Sequence, residues 1–312
     1  MIRTGVYFNN KLNSEALENL IFIPELSLVG VYSPEKIDLG GIQLMQYEYP
    51  ESLIHDVDAV IAFAPYSKPY IVENIVKNFK HVLFEPTSEY KNENIYQLSK
   101  FVEEADVKVM AGLQHYYDNV FVSARPLIKF PRFIQSRFFK QFGNYQEDNS
   151  VLMDMILVDV DIILNIVKSE IKHIWANYSS LSKRDPDIIN VNIEFMNGAC
   201  AQLTAGQIST TNTHEINFYC DNYYVSVDFL NSKAWQVKKR DDSSEASLFQ
   251  QNVGDLIIEP IPIRKNNSYS NEFSAFAKSI IYNKTPEINL DSLTRTFDTI
   301  AKINEKLKLN NR

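Results

Sequence analysis

The chain has 312 residues, of which 45% are hydrophobic and 22% charged, and its formal net charge is −8. The length favours two domains, and the composition is typical of a globular protein. An acidic chain whose longest basic block is Lys238-Lys239-Arg240 lacks the positive face that nucleic acids require. Its apolar runs are far shorter than a bilayer span. We therefore expect neither a nucleic-acid partner nor a membrane segment.

Residues 1–118 alternate short apolar runs with amphipathic segments, which predicts strands that alternate with helices. The predicted strands are Ile2–Phe8, Leu26–Tyr32, Val57–Phe63, His81–Phe84 and Val107–Ala111. The predicted helices between them are Ser14–Leu20, Lys68–Asn78 and Glu93–Ala105. This order predicts an α/β domain of Rossmann type, in which helices cover both faces of a doubly wound parallel sheet.

Residues 119–312 carry a different pattern, with long β-branched and aromatic runs flanked by helical segments. The predicted strands are Ile171–Ser182, Ile188–Met196, Ala199–Ser209, Glu215–Cys220 and Tyr223–Leu230. Asn197-Gly198 is a strong hairpin signal and Asp221-Asn222 a weaker one. The predicted helices are Asn119–Lys129, Ser150–Lys168, Ser270–Tyr282 and Leu290–Leu307. We expect a C-terminal α+β domain with a large, mostly antiparallel sheet, whose last helices are candidates for packing back on the first domain.

The cysteines, the histidines and the N-terminus suggest no special chemistry. Cys200 and Cys220 are too few for a disulfide framework or a zinc site, and the histidines lack metal-ligand spacing. The opening MIRTGVYFNN lacks the charged-then-apolar pattern of a signal peptide. We predict no metal site and a cytoplasmic location.

Three landmarks carry a resemblance to a known family. One strand runs into Ala64-Pro65, the next into Glu85-Pro86, and the helix Ser150–Lys168 carries Asp154 and Asp161. In this order they resemble the glucose–fructose oxidoreductase/inositol dehydrogenase (Gfo/Idh/MocA) family over nearly the whole chain. The resemblance implies NAD or NADP as cofactor and a sugar or polyol as substrate. Members have strands ending in Thr-Pro and Glu-Lys-Pro, and a helix with the pattern Asp-x-Gly-x-His-x-x-Asp.

The cofactor end departs from the family pattern. Phe8, Asn10 and Asn13 stand where a dinucleotide-binding turn has its three glycines, and a benzyl group at Phe8 would crowd the diphosphate. Ser33 stands where the family often has an acid, although it could simply start a loop. The cofactor-binding candidates implied by the resemblance are Phe8, Asn9, Asn10, Ser33, Ala64, Pro65 and Glu85. The predicted cofactor is NAD or NADP if this turn binds a dinucleotide, and otherwise none.

The positions of the catalytic residues depart further from the family pattern. Pro86 replaces the catalytic lysine of the family and Val158 replaces its histidine, so both proton-transfer groups are missing. Asp154, Asp161, His115 and Tyr117 are the substitute catalytic candidates. The helix face that carries Asp154 and Asp161 is alternatively a solvated or inter-domain edge. Asp159 lies among apolar residues, where a carboxylate needs a basic partner such as Arg125 or Arg137.

These departures leave competing functions open. The first is a degenerate family member that binds a small ligand in the inter-domain cleft or serves as a non-catalytic partner of an active relative. The second is an active NAD(P)-dependent oxidoreductase on a sugar or polyol, with substitute acid–base residues. The third is a structural or regulatory protein. In the family the outer face of the C-terminal sheet commonly forms the subunit contact, which predicts a homo-oligomer through that sheet.

Overall fold

The computed structural model describes residues 1–8, 14–35, 42–63, 68–86, 90–142, 150–180, 186–240, 251–253 and 255–309. The chain forms two compact units. Met1–Tyr117 and Asn266–Arg295 make up the first unit, and Asp118–Lys265 and Thr296–Arg312 make up the second. None of the helices in the described ranges is long and apolar enough to span a lipid bilayer.

The first unit is built on a sheet that has six parallel strands among the described residues. The strands are β1 Ile2–Tyr7, β2 Leu26–Tyr32, β3 Met45–Tyr47, β4 Ala59–Ala62, β5 His81–Phe84 and β6 Val109–Ala111. Their order across the sheet is β3-β2-β1-β4-β5-β6. The direction of the sheet order reverses between β1 and β4, as in dinucleotide-binding folds. The predicted Rossmann-type fold is confirmed.

The first unit also contains helices. They are α1 Ser14–Ile21, α2 Pro50–Asp56, α3 Pro69–Lys77, α4 Asn92–Ala105 and α7 Ser268–Ile281. Pro69 suits the first turn of α3, where its missing N–H costs no hydrogen bond. On the same helix Ile71, Val72, Ile75 and Val76 are buried, which is the spacing of an amphipathic helix. Every residue of β4 is buried, as expected for a parallel strand covered on both faces.

The second unit contains a large sheet with nine strands among the described residues. The strands are β7 Phe133–Gln141, β8 Ile171–Ser179, β9 Ile188–Phe195, β10 Cys200–Ser209, β11 Thr213–Tyr219, β12 Tyr223–Asp228, β13 Lys233–Lys239, β14 Gln251–Val253 and β15 Leu256–Pro260. Their order is β14-β15-β13-β12-β11-β7-β10-β9-β8, and among them only β7 and β10 pair in parallel. The predicted large, mostly antiparallel sheet is confirmed.

One face of this sheet packs on helices. In β9 every second residue is buried. The helix α6 Ser150–Ile166 contacts β7 and β10, and the helix α5 Asn119–Ala124 contacts β12 and β13. The helix α8 Leu290–Leu309 crosses the division between the two units after Arg295. The Asn197-Gly198 hairpin is confirmed, because it joins β9 to β10 with Gly198 at a φ of +83°.

Several sequence-based boundaries are wrong. The helix predicted for Asn119–Lys129 ends at Ala124, and a 3-10 turn follows over Arg125–Leu127 because Pro126 has no N–H to continue the ladder. The elements absent from the sequence-based prediction are α2, β3, β7, β13, β14 and β15. Of these strands β3, β14 and β15 are short, while β7 and β13 contain charged residues that weaken the apolar signal.

Candidate functional site at the carboxyl edge of the parallel sheet

The first unit brings several predicted site residues to one edge of its sheet. Phe8 follows β1, Ser33 follows β2 and Glu85 follows β5, while Gly112 follows β6. Because the strands are parallel, all four positions lie at their carboxyl ends, which is where open α/β sheets bind ligands. Four other candidates, Asn9, Asn10, Ala64 and Pro65, lie outside the described residues.

Phe8 is packed into the unit rather than open to a ligand. Its side chain is only 2% exposed, and its backbone N–H donates to the Tyr32 carbonyl oxygen at 3.1 Å. The hydrogen bond extends the β1–β2 pairing by one residue beyond Tyr7. The strand end that should carry a glycine beside a diphosphate therefore holds a buried benzyl group.

Ser33 is buried at 5% exposure. Its hydroxyl oxygen accepts a hydrogen bond from the Glu35 backbone N–H at 3.4 Å. Such local side-chain bonds start turns. Ser33 has no carboxylate for a ribose hydroxyl, and its hydroxyl is engaged by its own chain.

Glu272 is a site residue that sequence reasoning missed. It lies on α7, is 2% exposed, and its Oε1 atom has no hydrogen-bond partner within the described part of the chain. Burial, together with a smaller contribution from the nearby charge of Glu85, raises the pKa of Glu272 to about 8. The sequence held a signal, because Tyr269, Phe273 and Phe276 form a buried stripe in which Glu272 falls.

His115 and Tyr117 lie on a 3-10 turn just after β6. His115 is half-buried. Tyr117 is 3% exposed, its hydroxyl lies 3.9 Å from Met110 Sδ, and its carbonyl oxygen accepts from Asn271 Nδ2 at 3.0 Å. The turn is thereby tied to α7, next to Glu272. A phenol buried against a thioether is poorly placed to exchange protons with a ligand.

In the second unit, the helix α6 carries the predicted acidic face. Asp161 is 1% exposed, and its Oδ1 accepts from Thr296 Oγ1 at 3.0 Å and from Asn165 Nδ2 at 3.1 Å. Burial raises the pKa of Asp161 to about 7, although both bonds act in the opposite direction. The expectation of a solvated edge is wrong for Asp161. The side chain of Asp154 lies outside the described residues.

Asp159 has two polar partners. Ser136 Oγ donates to Oδ2, and His214 Nε2 lies 2.7 Å from Oδ1. All three residues are at most 2% exposed. Because both bonds end on the carboxylate, the hydroxyl has no imidazole base, and the group is not arranged as a nucleophilic triad. A histidine and a serine therefore hold the carboxylate for which the sequence suggested an arginine.

The imidazole of His214 is fixed on both faces. Phe138 stacks on one side with ring centroids 3.9 Å apart, and Phe229 on the other at 4.4 Å. Asp118 accepts a hydrogen bond from the Val120 backbone N–H at the start of α5. It lies close enough to His214 for the two side chains to interact electrostatically. Burial raises the pKa of Asp118. His214, Ile216 and Phe218 alternate along β11, which in hindsight places the histidine on the core face.

In the described ranges, no three histidine, cysteine, aspartate or glutamate side chains are grouped to hold a metal ion.

No protein-family model matches the sequence, and no curated protein is significantly similar to it. Solved structures do match. UDP-N-acetylglucosamine 3-dehydrogenase GnnA from Acidithiobacillus ferrooxidans shares 18% identity, with 99% of this chain and 98% of that one covered, at a TM-score of 0.84. A dehydrogenase, MviM, from Clostridium difficile shares 14% identity, with 98% and 99% covered, at a TM-score of 0.79.

A third structure, a Sinorhizobium meliloti protein assigned as a myo-inositol dehydrogenase, shares 14% identity, with 99% and 98% covered, at a TM-score of 0.75. The chain has the fold of the Gfo/Idh/MocA-type dehydrogenases. The resemblance in the sequence is confirmed at this level. At such low identity the shared property is the fold, so the chemistry must be judged from the residues themselves.

The residues at the cofactor edge of this Gfo/Idh/MocA-type fold do not fit a dinucleotide well. The turn after β1 in such folds needs glycines so that the backbone can approach the pyrophosphate. Here Phe8 buries its ring at that strand end, and Ser33 offers no acid at the next. We therefore derive no chemical step through a nicotinamide.

Proposed function

We propose that this protein is a catalytically degenerate member of the sugar and polyol dehydrogenases, which binds a small ligand at the carboxyl edge of its parallel sheet without transferring hydride. The single observation that carries the proposal is the buried ring of Phe8 at the end of β1. A working dinucleotide site would need backbone and open space at this position.

The acid–base groups support the same proposal. Hydride transfer from an alcohol requires a base for the hydroxyl proton. Position 86 holds proline and position 158 holds valine, neither of which can take up a proton. Of the substitutes, Tyr117 is buried against Met110, and Asp161 is buried against Thr296. The described geometry thus offers these two no direct route to a bound alcohol.

The ligand class follows from the structural neighbours. GnnA is named as a dehydrogenase of UDP-N-acetylglucosamine, and the Sinorhizobium protein is assigned to myo-inositol. We propose a sugar, a sugar nucleotide or a cyclic polyol as ligand. A degenerate member of this kind could equally serve as the non-catalytic partner of an active relative, and we keep both roles within the proposal.

A turnover assay tests the loss of chemistry. The full chain is incubated with NAD⁺ or NADP⁺ and a panel of UDP-N-acetylglucosamine, myo-inositol and simple sugars, and absorbance of the reduced nicotinamide is followed. GnnA serves as the positive control on its named substrate. We expect no turnover by this protein under conditions in which GnnA reacts. Steady reduction of either cofactor with any member of the panel would contradict the proposal.

The alternative function is an active NAD(P)-dependent oxidoreductase. It is favoured by the full-length match to a named dehydrogenase at a TM-score of 0.84. Substituting Phe8→Gly separates the two, with Phe22→Gly, at an 80% exposed position, as the matched control. If Phe8 is what prevents dinucleotide binding, Phe8→Gly gains affinity for NADH while Phe22→Gly does not. An active enzyme would bind NADH without either change.

Homo-oligomerisation and location remain proposals. Phe133, Tyr219 and Tyr224 form a row on neighbouring strands, with ring centroids 5.8 Å and 5.1 Å apart. An aromatic row on a sheet face suits a subunit contact. We propose a second copy of the chain as its partner, testable by light scattering on the wild type and Tyr224→Arg.

Cys200 and Cys220 are free thiols, which suits the reducing cytoplasm.

A further inference from the structure

The starting observation is a buried acid that its own protein does not satisfy. Glu272 is 2% exposed on α7, and its Oε1 has no hydrogen-bond partner among the described residues. A buried polar atom left unpaired destabilises the folded state, so native proteins rarely keep one without a reason. A group absent from the protein itself is one such reason.

The surroundings of Glu272 Oε1 are rich in acceptors. A Cβ atom added at Gly112 would lie 3.0 Å from Glu272 Oε1 and 3.5 Å from the Phe84 carbonyl oxygen, so both oxygens lie on the side of Gly112 where a side chain would be. Phe84 accepts one hydrogen bond there, from the Gly112 N–H at 2.7 Å, and a carbonyl oxygen can accept a second. Glu85, the next residue, is near enough for its charge to act on Glu272.

We propose that Glu272 Oε1 and the Phe84 carbonyl oxygen, with the charge of Glu85 nearby, bind the primary ammonium group of a small ligand beside Gly112. An ammonium group has three N–H donors and no acceptor, which suits a position lined by oxygen acceptors. Its positive charge also compensates two carboxylates, one of which is buried. Gly112 has no side chain that would crowd Glu272 Oε1.

A metal ion fits these groups less well. Divalent cations such as calcium and magnesium take about six or more oxygen ligands. The described residues contain no group of three or more metal-binding side chains. The raised pKa of Glu272, about 8, agrees with an amine site, because the carboxyl stays neutral until a cation favours its charged form.

The test uses methylammonium chloride as probe on the full chain, at a pH above the pKa of Glu272. Amide exchange in the α7 peptide, Ser268–Ile281, is followed by mass spectrometry. We expect methylammonium in excess to slow exchange in α7 several-fold, because a ligand bound only to the folded state stabilises it. Tetramethylammonium, which has the same charge but no N–H donor, should leave the exchange unchanged, as should potassium.

Glu272→Gln is expected to abolish the response while keeping the side-chain shape, and Glu93→Gln, at an exposed glutamate of α4, should retain it. If Glu272→Gln does not fold, Gly112→Ala is the second variant, because its methyl group would crowd Oε1. No slowing by methylammonium, an equal effect of potassium or tetramethylammonium, or a full response in Glu272→Gln would each overturn the site. The test requires neither nicotinamide nor sugar, so its failure would leave the proposed function standing.

Discussion

Two buried acids, Asp159 in the second unit and Glu272 in the first, have opposite surroundings. Asp159 is held by the Ser136 hydroxyl and the His214 imidazole, with an oxygen for each. Glu272 is equally buried, yet its Oε1 has no partner among the described residues. A satisfied buried carboxylate fixes strands to a helix, whereas an unsatisfied one marks a position where a group from outside can bind.

Asp161 lies between these extremes. One of its oxygens accepts from Thr296 and Asn165, while the other, Oδ2, has no partner among the described residues. The family pattern had singled out Asp161 as a site candidate and said nothing of Glu272. The comparison therefore teaches that hydrogen-bond satisfaction, rather than the motif alone, separates structural acids from candidate ligand-binding ones.

The largest effect is expected for Asp159→Ala. It leaves the His214 imidazole and the Ser136 hydroxyl buried without their acceptor, and breaking a buried pair in this way costs about 3–5 kcal/mol. Urea unfolding, followed by the fluorescence of Trp175 and Trp235 in the same unit, measures the loss. Asp221→Ala, which removes an exposed ion pair to Arg132, is the control and should cost at most about 1 kcal/mol. An equal loss of unfolding free energy in both variants would contradict the contrast between the buried, hydrogen-bonded Asp159 and an exposed ion pair.

The next effect is the pH dependence of the first unit. The pKa of Glu272 is raised from 4.5 to about 8 on folding, so its neutral form contributes stability that is complete below about 4.5. That stability is lost as the pH rises from about 4.5 through about 8, where the folded state holds the proton and the unfolded state does not. Amide exchange in α7 should thus accelerate between about pH 5 and about pH 8 beyond the intrinsic chemical increase. Glu272→Gln should remove this excess, and an unchanged excess would show that another group titrates.

A smaller effect is expected for Thr296→Val. The change removes one of two donors to Asp161 Oδ1 and should cost about 1 kcal/mol, the usual net value of such a bond. Loss of a bond that lowers the pKa of Asp161 should also raise that pKa further above 7. The midpoint of urea unfolding measures the change. Thr294→Val is the matched control, because that hydroxyl donates to the Leu290 carbonyl oxygen of its own helix. A larger loss in the control would contradict the assignment.

Much of the fold could be predicted because its signals are local. Fully apolar strands such as Ala59–Ala62, the alternation in Ile188–Phe195 and the Asn197-Gly198 turn each reflect a rule that acts over a few residues. The strand Phe133–Gln141 was not predicted because Arg137 and Lys140 interrupt its apolar run, although it pairs with both β10 and β11.

The candidate site could be predicted only in part. The family resemblance implied that Phe8 stands at a glycine position, and the apolar neighbours of Asp159 indicated that this carboxylate needs a partner. Which groups would meet a buried acid depends on strand register across the sheet. His214 and Ser136 are brought to Asp159 by the pairing of β7 with β11, and no spacing in the sequence encodes this.

The most direct test of the central claim, a dehydrogenase fold that has lost its dinucleotide site, is a fluorescence titration of the wild-type chain with NADH and NADPH. The account predicts no tight binding of either, because a buried benzyl side chain stands at the strand end where such folds carry a glycine beside the diphosphate. Saturable binding of either cofactor with a dissociation constant in the low micromolar range or below would contradict it.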